Sequence, residues 1–348
     1  MLIVKLDATG DVLRTTSLLK PLHAAIPAAH VTWITRRESV EVLKPNRWVD
    51  LVVPFDAEAL LLLQTQSFDL VINPDASITS SRLATMARAT DKRGFIVGDS
   101  GQLLPLSDEA ARWYEMGVND GLKKKNERTY QSILLGVSGL PRTEHPIIWE
   151  MTEDESAFAE DFARRNDISP GHQLTIGLNT GAGGRWRWKK WTEDGYVQLI
   201  GAILKEYPDS RVLLYGGPEE RARNAKLASL APNQLIDTGT GNTLRQFGAL
   251  VSLCNVMVTG DTMALHLASA LGKRVVALFG PTSASEIELY GRGSKVAPWG
   301  MSCLGCYLSD CEIRPACMER ISATQVLTSL RDEITALSVD RGEVELGL

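Results

Sequence analysis

Residues 258–282 have the sequence VTGDTMALHLASALGKRVVALFGPT. An apolar run leads into a turn whose Asp261 or Thr262 can cap a helix, and a second apolar run follows from Val275. The pattern predicts a buried strand, a turn, a short helix and another buried strand. In such a unit the helix N-terminus directs free backbone N–H groups and a positive dipole end out of the carboxyl edge of a parallel sheet. The stretch therefore predicts an α/β fold with a place for an anion such as a diphosphate.

Strand–helix units of the same kind fill most of the chain. Apolar runs near residues 2–6, 31–34, 51–53, 69–73, 94–97, 174–178, 211–215 and 235–237 alternate with helical or loop segments. A chain of 348 residues is long for one core, so we expect two doubly wound α/β domains with a cleft between them. The expected domains are residues 1–150 and 172–327, with an interdomain connection at 151–171. Residues 328–348 are expected to form a C-terminal helix or tail that could pack back toward the N-terminal domain.

The composition is that of a soluble globular protein. Hydrophobic residues make up 44% and charged residues 23%, and the net charge of −5 argues against a general nucleic-acid binder. The N-terminus lacks the basic start of a secretory signal, and no apolar run reaches the roughly 18 residues that cross a bilayer. We therefore expect a cytoplasmic protein without disulfides.

A carboxylate follows the first predicted strand, in the pair Gly10-Asp11. At the carboxyl edge of the sheet it would face the expected cleft and could accept a proton from a substrate hydroxyl. Alternatively, Asp11 only caps a helix that starts at Val12, a role that aspartate fills well. The residue alone leaves both interpretations open.

A glycine-rich loop follows the first strand of the second domain. Asn179 to Gly184 is followed by the basic and aromatic residues 185–191, which end in Lys189-Lys190-Trp191. Glycines allow the backbone to approach a ligand closely, and lysines neutralise phosphate oxygens. The loop therefore indicates an anion site, which the turn at Asp261 would complete.

Acidic and histidine side chains lie on two further turns of this edge. Glu219 and Glu220 follow Gly216-Gly217-Pro218 and could bind ribose hydroxyls, or they could only favour the dipole of the next helix. His266, among apolar helix neighbours, is by itself more typical of a hydrogen-bonded core residue than of a catalytic one.

Taken in order, these motifs resemble the ADP-heptose:lipopolysaccharide heptosyltransferase family, glycosyltransferase family 9. They are Gly10-Asp11 with Arg14-Thr15-Thr16, residues 181–191, Gly216 to Glu220, Gly260-Asp261-Thr262 with His266, and Leu278 to Thr282. The resemblance covers about residues 2–327. It implies a GT-B fold of two Rossmann-like domains, in which the N-terminal one binds the acceptor and the C-terminal one the nucleotide sugar. The implied activity is inverting transfer of a heptose, or a similar sugar, from an ADP-sugar to a saccharide or glycoconjugate, in lipopolysaccharide or related surface-glycan synthesis.

The resemblance also assigns roles to residues. It makes Asp11 the general base, and Lys189 and the helix N-terminus at Asp261-Thr262 the groups that stabilise the leaving diphosphate. The implied donor-binding residues are Thr180, Gly181, Lys190, Glu220, Asp261, Thr262, Met263, His266, Gly280 and Thr282, and the implied acceptor-binding residues are Arg14, Arg36 and Asp75. Met263 departs from the glycine that the family often has there, so its side chain would limit how closely the backbone approaches the phosphate.

Metals enter the expectations in two ways. The chain has no Asp-x-Asp pair, so lysine and helix dipoles are expected to stabilise the diphosphate, with no metal needed for catalysis. Four of the five cysteines form the cluster Cys303-x2-Cys306-x4-Cys311-x5-Cys317. In a cytosolic protein this cluster suggests structural zinc or iron more than disulfides. Free or redox-active thiols and an iron–sulfur cluster are the alternatives.

Two other functions remain open from the sequence: a nucleotide-sugar epimerase of GT-B-like fold, and a non-catalytic sugar-nucleotide-binding protein. The expected partners are an ADP-sugar donor and a saccharide, glycolipid or glycoprotein acceptor, with no nucleic acid. Membrane association is expected to be at most peripheral, at the inner face of the cytoplasmic membrane.

Overall fold

The computed structural model of the protein describes residues 1–143 and 145–340. The chain divides into two compact units. The first contains Met1–Glu150 together with a short later segment, Ser285–Glu288. The second contains Met151–Ala284 and the chain from Leu289 onward.

The first unit is an α/β unit built on a six-stranded sheet. Its strands lie in the order β3-β2-β1-β4-β5-β6, with β1 to β5 parallel and β6 antiparallel to β5. The strands are β1 (Leu2–Val4), β2 (Thr32–Thr35), β3 (Leu51–Pro54), β4 (Ser67–Asn73), β5 (Arg88–Val97) and β6 (Leu103–Pro105). The helices are α1 (Thr9–Thr15), α2 (Leu19–Ala25), α3 (Ala57–Thr65), α4 (Ile78–Met86), α5 (Asp108–Val118), α6 (Asp120–Lys124) and α7 (Tyr130–Val137).

The helical pattern after β1 forms two helices. A 3-10 turn, Thr16–Leu18, separates α1 from α2, and Pro21 lies in the first turn of α2, where its missing N–H breaks no helical hydrogen bond. The helical pattern from Val12 through Ala25 predicts a helix that Pro21 kinks or divides, and the structure divides it at Thr16–Leu18. The predicted start at Val12 was wrong, because α1 begins at Thr9.

The second unit has a six-stranded sheet that is parallel throughout. Its strand order is β12-β11-β10-β7-β8-β9. The strands are β7 (Thr175–Asn179), β8 (Arg211–Tyr215), β9 (Leu235–Asp237), β10 (Val256–Gly260), β11 (Arg274–Leu278) and β12 (Gly293–Val296). The helices are α8 (Glu153–Arg165), α9 (Glu193–Glu206), α10 (Arg221–Ala228), α11 (Leu244–Val251), α12 (Met263–Ala270) and α13 (Ala323–Asp340).

Most of the predicted interdomain connection, residues 151–171, is a helix of the second unit. Thr152 and Glu155 form a capping box at the start of α8, and α8 packs against α11. Glu155 also accepts two hydrogen bonds from Arg245 of α11, at 2.5 and 2.6 Å. The acidic segment is therefore part of a packed layer.

The C-terminal helix also belongs to the second unit. α13 packs against α9, β11 and β12, and Glu333 accepts a hydrogen bond from Arg274 at 2.6 Å. Residues 328–340 of the predicted C-terminal helix or tail thus pack within the second unit; residues 341–348 lie outside the described chain, and packing of the tail toward the N-terminal domain remains a prediction. None of the helices in the described ranges has both the length and the apolar composition of a membrane span.

Candidate functional site

In each sheet the strand order reverses once, and open α/β sheets bind ligands at that point. The reversal lies between β1 and β4 in the first sheet and between β7 and β10 in the second. Parallel strands end at a common edge, so the segments that follow each pair of strands meet there. Most of the predicted site residues lie on these segments.

In the second unit, Lys189 and Asp261 form an ion pair at this edge. Nζ of Lys189 donates to Oδ2 of Asp261 at 2.9 Å and to its backbone carbonyl at 3.1 Å. The two side chains are 14% and 15% exposed, and Nε2 of His266 lies 3.9 Å from Oδ1 of Asp261. Three residues predicted from two motifs are thus brought together in a partly exposed cluster.

The N-terminus of α12 follows this pair directly. Thr262 is the N-cap residue but makes no side-chain cap, because its hydroxyl accepts instead from Nδ2 of Asn179 at 3.1 Å. Nδ2 of Asn179 also donates to Thr259 Oγ1 and to the carbonyl of Gly181, both at 3.0 Å. Asn179 therefore ties the loop after β7 to the turn after β10. Asn179 begins the predicted anion-binding loop but had no role of its own in that prediction, although a polar residue at the end of an apolar run was a usable signal.

Met263 is the first residue of α12 and is partly buried. Its helical position agrees with the predicted strand–turn–helix unit. The effect of its side chain on a phosphate remains a prediction.

Lys190 and Glu220 form a second charged cluster beside the glycine-rich loop. Nζ of Lys190 lies 2.5 Å from Oε1 of Glu220 and 3.1 Å from Oε2 of Glu219. Burial alone would lower the pKa of Lys190, but the hydrogen bonds to Glu220 and Glu219 raise it above its usual value. Glu220 is buried and also accepts from the N–H of Gly217 at 3.0 Å. Its carboxylate therefore fixes two loops, and ribose binding by Glu220 remains a prediction.

Gly181 and Thr180 are packed against α10 and the turn before it. A Cβ at Gly181 would lie 2.7 Å from Oε2 of Glu220, so a larger residue would displace that carboxylate. Thr180 is buried, and its hydroxyl donates to Oδ1 of Asn224 at 2.6 Å. Nδ2 of Asn224 is buried without a hydrogen-bond partner among the described residues. Sequence reasoning did not identify Asn224, which lies in a polar stretch without a motif.

The predicted nucleotide-bordering residues Gly280 and Thr282 lie on the turn after β11, and both are buried. A Cβ at Gly280 would lie 2.5 Å from Sγ of Cys317. This turn therefore packs directly against the cysteine-rich part of the chain.

The reversal point of the first sheet holds a buried charge network. Nζ of Lys5 donates to Oδ1 of Asp75 and, at 3.0 Å, to Oδ2 of Asp7. Oδ2 of Asp75 accepts from the backbone N–H groups of Leu6 at 2.7 Å and Asp7 at 3.2 Å. These bonds fix the segment after β1. The side chain of Asp75 is 0% exposed, so it has no surface for the acceptor contact that the family resemblance implies.

The pKa values of this network reflect burial opposed by charge. Burial by itself lowers the pKa of Lys5, but Asp75 and the other negative groups around it raise that pKa well above its usual value. Burial raises the pKa of Asp75 to about 7, although Lys5 opposes the shift. The pair is thus held by mutual attraction in a place where either charge alone would be costly.

Asp11 lies in the first turn of α1, and its side chain is 35% exposed. The N-cap residue is Ala8, so the interpretation of Asp11 as the helix cap was wrong. Arg14 donates to Oδ1 of Asp11 at 3.4 Å and to the carbonyl of Glu286 at 2.9 Å. Its guanidinium also lies 3.9 Å from the centre of the Tyr130 ring. Asp11 therefore has a partly exposed carboxylate beside Arg14, which also contacts Glu286 and Tyr130.

Arg36 and Tyr130 complete the surroundings. Arg36 is exposed, and its Nε donates to the carbonyl of Leu6 at 2.7 Å. Burial raises the pKa of Tyr130 to about 12. Sequence reasoning missed Lys5 and Tyr130. A lysine inside an apolar run was a signal for Lys5, whereas nothing local marks Tyr130.

The four clustered cysteines are free thiols: Cys303, Cys306 and Cys311 are partly buried, and Cys317 is buried. Burial raises the pKa of Cys317 to about 11, and the nearby Cys306, Cys311 and Cys303 add to the shift. Between residues 1 and 340, Glu144 excepted, no three cysteine, histidine or acidic side chains are arranged to hold a metal ion. In this arrangement the thiols do not fit the predicted metal site.

The fold and these clusters together define a class. Two Rossmann-like units, one with lysines beside a helix N-terminus at its strand reversal, are the architecture of a GT-B glycosyltransferase. The family model for glycosyltransferase family 9 (heptosyltransferase) matches residues 61–314, and the chain belongs to this family. The family resemblance inferred from the motifs is therefore confirmed.

Curated relatives in sequence are heptosyltransferases. Lipopolysaccharide heptosyltransferase 1 of Pseudomonas aeruginosa is 22% identical, over 97% of this chain and 98% of the relative. The lipopolysaccharide core heptosyltransferase OpsX of Haemophilus influenzae is 24% identical, over 80% of this chain and 78% of the relative.

Solved structures share the fold at lower identity. A glycosyltransferase family 9 protein from Veillonella parvula has a TM-score of 0.75 at 18% identity, covering 96% of this chain and 97% of its own. The E. coli heptosyltransferase WaaC, solved with ADP-2-deoxy-2-fluoro heptose, has a TM-score of 0.62 at 17% identity, covering 95% and 98%. The iron-containing dodecameric glycosyltransferase TibC from enterotoxigenic E. coli has a TM-score of 0.55 at 12% identity, covering 97% and 76%. The predicted fold class is confirmed.

Proposed function

We propose that this family 9 glycosyltransferase transfers a heptose from an ADP-sugar to a saccharide acceptor in lipopolysaccharide or related surface-glycan synthesis. The family and the curated relatives support this reaction. The observation that carries it is the partly exposed Lys189–Asp261 pair at the strand reversal of the second sheet, directly before α12. We place the reaction in the cytoplasm or at the inner face of the cytoplasmic membrane, where the enzyme would associate peripherally.

The donor diphosphate would bind between the glycine-rich loop and the start of α12. Lys189 would exchange Asp261 for a phosphate oxygen, because a diphosphate carries more negative charge than a single, partly solvated carboxylate. The first N–H groups of α12 and its dipole attract the same charge. Gly181 allows the loop to approach, and Lys190 holds that loop against Glu220.

These groups would also lower the barrier to transfer. Negative charge grows on the diphosphate as its bond to the anomeric carbon breaks, and a fixed ammonium and helix dipole stabilise that charge. The chain has no Asp-x-Asp pair, so we propose that catalysis needs no metal. Activity is expected to persist in EDTA, and a strict requirement for added divalent metal would contradict this part of the proposal.

Asp11 would act as the general base in the first unit. Its carboxylate is partly exposed and does not cap α1, so it is available for proton transfer. The acceptor oxygen would bond to the anomeric carbon as the bond to the diphosphate breaks, while its proton passes to Asp11. A single displacement of this kind inverts the anomeric centre.

The acceptor would contact the exposed residues near Asp11. Arg36 is held by one nitrogen on the carbonyl of Leu6, which leaves its remaining N–H groups for an anionic or polyhydroxylated acceptor. We keep Arg36 as an acceptor-binding residue on this ground.

The test is ADP release with and without an acceptor saccharide. Asp11→Asn is expected to lower kcat by about 10²- to 10⁴-fold, because the base is lost, with little change in ADP binding. Asp91→Asn is the matched control, since Asp91 is a half-exposed carboxylate of β5 that pairs with Arg93 at 2.9 Å. Turnover by Asp11→Asn at the parent rate would remove Asp11 from the base role. Conversion of the ADP-sugar without acceptor would instead favour an epimerase.

We further propose that the cysteine cluster has a structural role and acquires zinc or iron only if its side chains converge. The neighbour TibC is an iron-containing glycosyltransferase, which is the ground for testing this cluster for metal. Metal binding requires the thiols to lose their protons. Elemental analysis of protein purified without chelator tests this, and a metal content near zero would leave the cluster as free thiols.

A further inference from the structure

The cysteine-rich segment, residues 303–317, is hydrogen-bonded to the turn after β11. The N–H of Gly305 donates to the carbonyl of Gly280 at 3.0 Å, and the N–H of Tyr307 donates to the carbonyl of Pro281 at 2.8 Å. In the reverse direction, the hydroxyl of Tyr307 accepts from the N–H of Ser283 at 3.2 Å. The backbone of residues 280–283 is therefore fixed from outside by this segment.

The contact leaves no spare room. A Cβ at Gly280 would lie 2.5 Å from Sγ of Cys317 and 2.9 Å from Sδ of Met318. Tyr307 itself adopts a φ of 54°, in the left-handed region that costs a non-glycine residue energy. Such a conformation persists only where its surroundings hold it. The shape of the segment is thus adapted to the turn that it contacts.

The same segment also reaches the loop that carries the two lysines. Nη1 of Arg314 donates to the carbonyl groups of Cys311 and Ile313, both at 2.8 Å, which anchors this arginine within the segment. Its guanidinium lies 4.6 Å from the centre of the Trp188 ring, in cation–π geometry. Trp188 directly precedes Lys189 in the chain. Arg314 therefore fixes one end of the lysine pair.

The other end of the lysine pair is fixed just beyond the segment. Nε1 of Trp191 donates to the carbonyl of Ile321 at 2.9 Å, and Trp191 directly follows Lys190. Both aromatic residues that flank the lysines thus contact the chain between residues 303 and 321. Contacts on both flanks limit how far the two ammonium groups can move.

We propose that the cysteine-rich segment positions two loops of the donor site, the lysine-bearing loop and the turn at residues 280–283, and that Arg314 and Tyr307 are its positioning residues. Neither residue needs to touch the donor. They would act by holding the lysine-bearing loop and the turn at residues 280–283 in the geometry that binds ADP, so that this order is not imposed at the moment of binding. The inference rests on the proposed function, because it assumes that these loops form the donor site.

The experiment measures the affinity of the full-length protein for ADP by calorimetry. Arg314→Met removes the guanidinium but keeps an unbranched apolar stem, and is expected to raise the Kd for ADP about five- to twentyfold. Arg314→Lys is expected to restore part of the affinity, since an ammonium can also lie over Trp188. Tyr307→Phe, which loses the bond from Ser283, is expected to raise the Kd about two- to fivefold.

Arg320→Met is the matched control. Arg320 is exposed and its Nε donates to the carbonyl of Pro315 at 3.0 Å, within the same part of the chain. We expect its Kd to stay within about twofold of the parent. Kinetics add a second readout, because a positioning role raises the KM for the donor and leaves the KM for the acceptor unchanged.

The outcomes separate the two levels of inference. If Lys189→Ala weakens ADP binding but Arg314→Met and Tyr307→Phe bind like the parent, the positioning role is overturned and the donor site stands. If Lys189→Ala also binds ADP like the parent, the proposed donor site itself is wrong. Should Arg314→Met fail to fold, the nearly isosteric Tyr307→Phe decides the question.

Discussion

Lys5–Asp75 and Lys189–Asp261 occupy equivalent topological positions in their two sheets but differ in burial. Each pair lies where the strand order reverses. The side chains of the first pair are 1% and 0% exposed, whereas those of the second are 14% and 15% exposed. A fully buried pair cannot separate without leaving a bare charge, whose cost is several kcal/mol. A partly exposed pair can exchange a partner for a ligand at much smaller cost.

The surroundings of the two aspartates agree with this difference. Asp75 accepts hydrogen bonds from the backbone N–H groups of Leu6 and Asp7, so its carboxylate fixes the backbone that follows β1. Asp261 instead precedes α12, whose N-terminus favours a second anion nearby. One type of charged pair can therefore stabilise the fold or bind a ligand, and the burial of its carboxylate distinguishes the two roles.

Lys5→Met is expected to have the largest effect on folding. An unchanged free energy of unfolding would contradict the structural role of the Lys5–Asp75 pair. The substitution leaves Asp75 buried without its cation, so we expect a loss of about 3–5 kcal/mol in the free energy of unfolding near pH 8. Urea denaturation of the parent and the variant measures it. Lys5→Met combined with Asp75→Asn is the control and is expected to recover part of the loss.

The loss should depend on pH. Burial raises the pKa of Asp75 to about 7, above its usual value of 3.8, and losing Lys5 removes a group that opposes the rise. A raised carboxyl pKa favours the folded state at low pH and ceases to do so as pH rises through the folded-state value. The deficit of Lys5→Met should therefore be smaller near pH 5 than near pH 8. An equal deficit at both would contradict the assigned charge state.

Lys189→Ala should have the opposite profile, with a large effect on binding and a small one on folding. We expect the affinity for ADP to fall about 10- to 100-fold, because charge-assisted hydrogen bonds are lost, and the free energy of unfolding to change by less than about 1 kcal/mol. Asp261→Asn is the informative partner, since it releases Lys189 and should bind ADP at least as well as the parent. Calorimetry and denaturation test both variants. A folding loss like that of Lys5→Met would remove the distinction.

Arg14 lies between these extremes, with a side chain that is 11% exposed. In Arg14→Lys, the lysine has no planar group that could contact both Asp11 and the carbonyl of Glu286. We therefore expect kcat to fall about three- to tenfold, with the KM for the acceptor nearly unchanged. Arg36→Met is the comparison variant and should mainly raise the KM for the acceptor. A raised acceptor KM with unchanged kcat for Arg14→Lys would instead support the acceptor-binding role that the family resemblance implies for Arg14.

The sequence predicted those parts of the fold that local pattern determines. Arg211–Tyr215 and Leu235–Asp237 are strands with the predicted bounds, because each is an apolar run closed by turn residues. The short edge strand Leu103–Pro105 was missed, since so few residues have no periodicity. The helix at residues 153–165 lies inside the segment predicted as the interdomain connection, and the Thr152 and Glu155 of its capping box are visible in the sequence.

The candidate site shows the same limit. Lys189, Asp261 and His266 each lie in a motif, and their motifs are enough to group them. Lys5 and Asp75 are separated by 70 positions, and only the pairing of β1 with β4 brings them together. The spacing of the two residues in the sequence does not predict that strand pairing. The burial that gives each charge its role is also a property of the folded chain alone.

The segment Ser285–Glu288 has a consequence for how the protein is made. It belongs to the first unit, where the carbonyl of Glu286 accepts from Arg14 and from the N–H of Tyr130, and Ser285 donates to the carbonyl of Asn126 at 2.5 Å. During translation these bonds cannot form until the ribosome has synthesised residues 151–284 of the second unit. The surroundings of Asp11 are therefore completed late, and a fragment ending at residue 150 would lack the acceptor that holds Arg14.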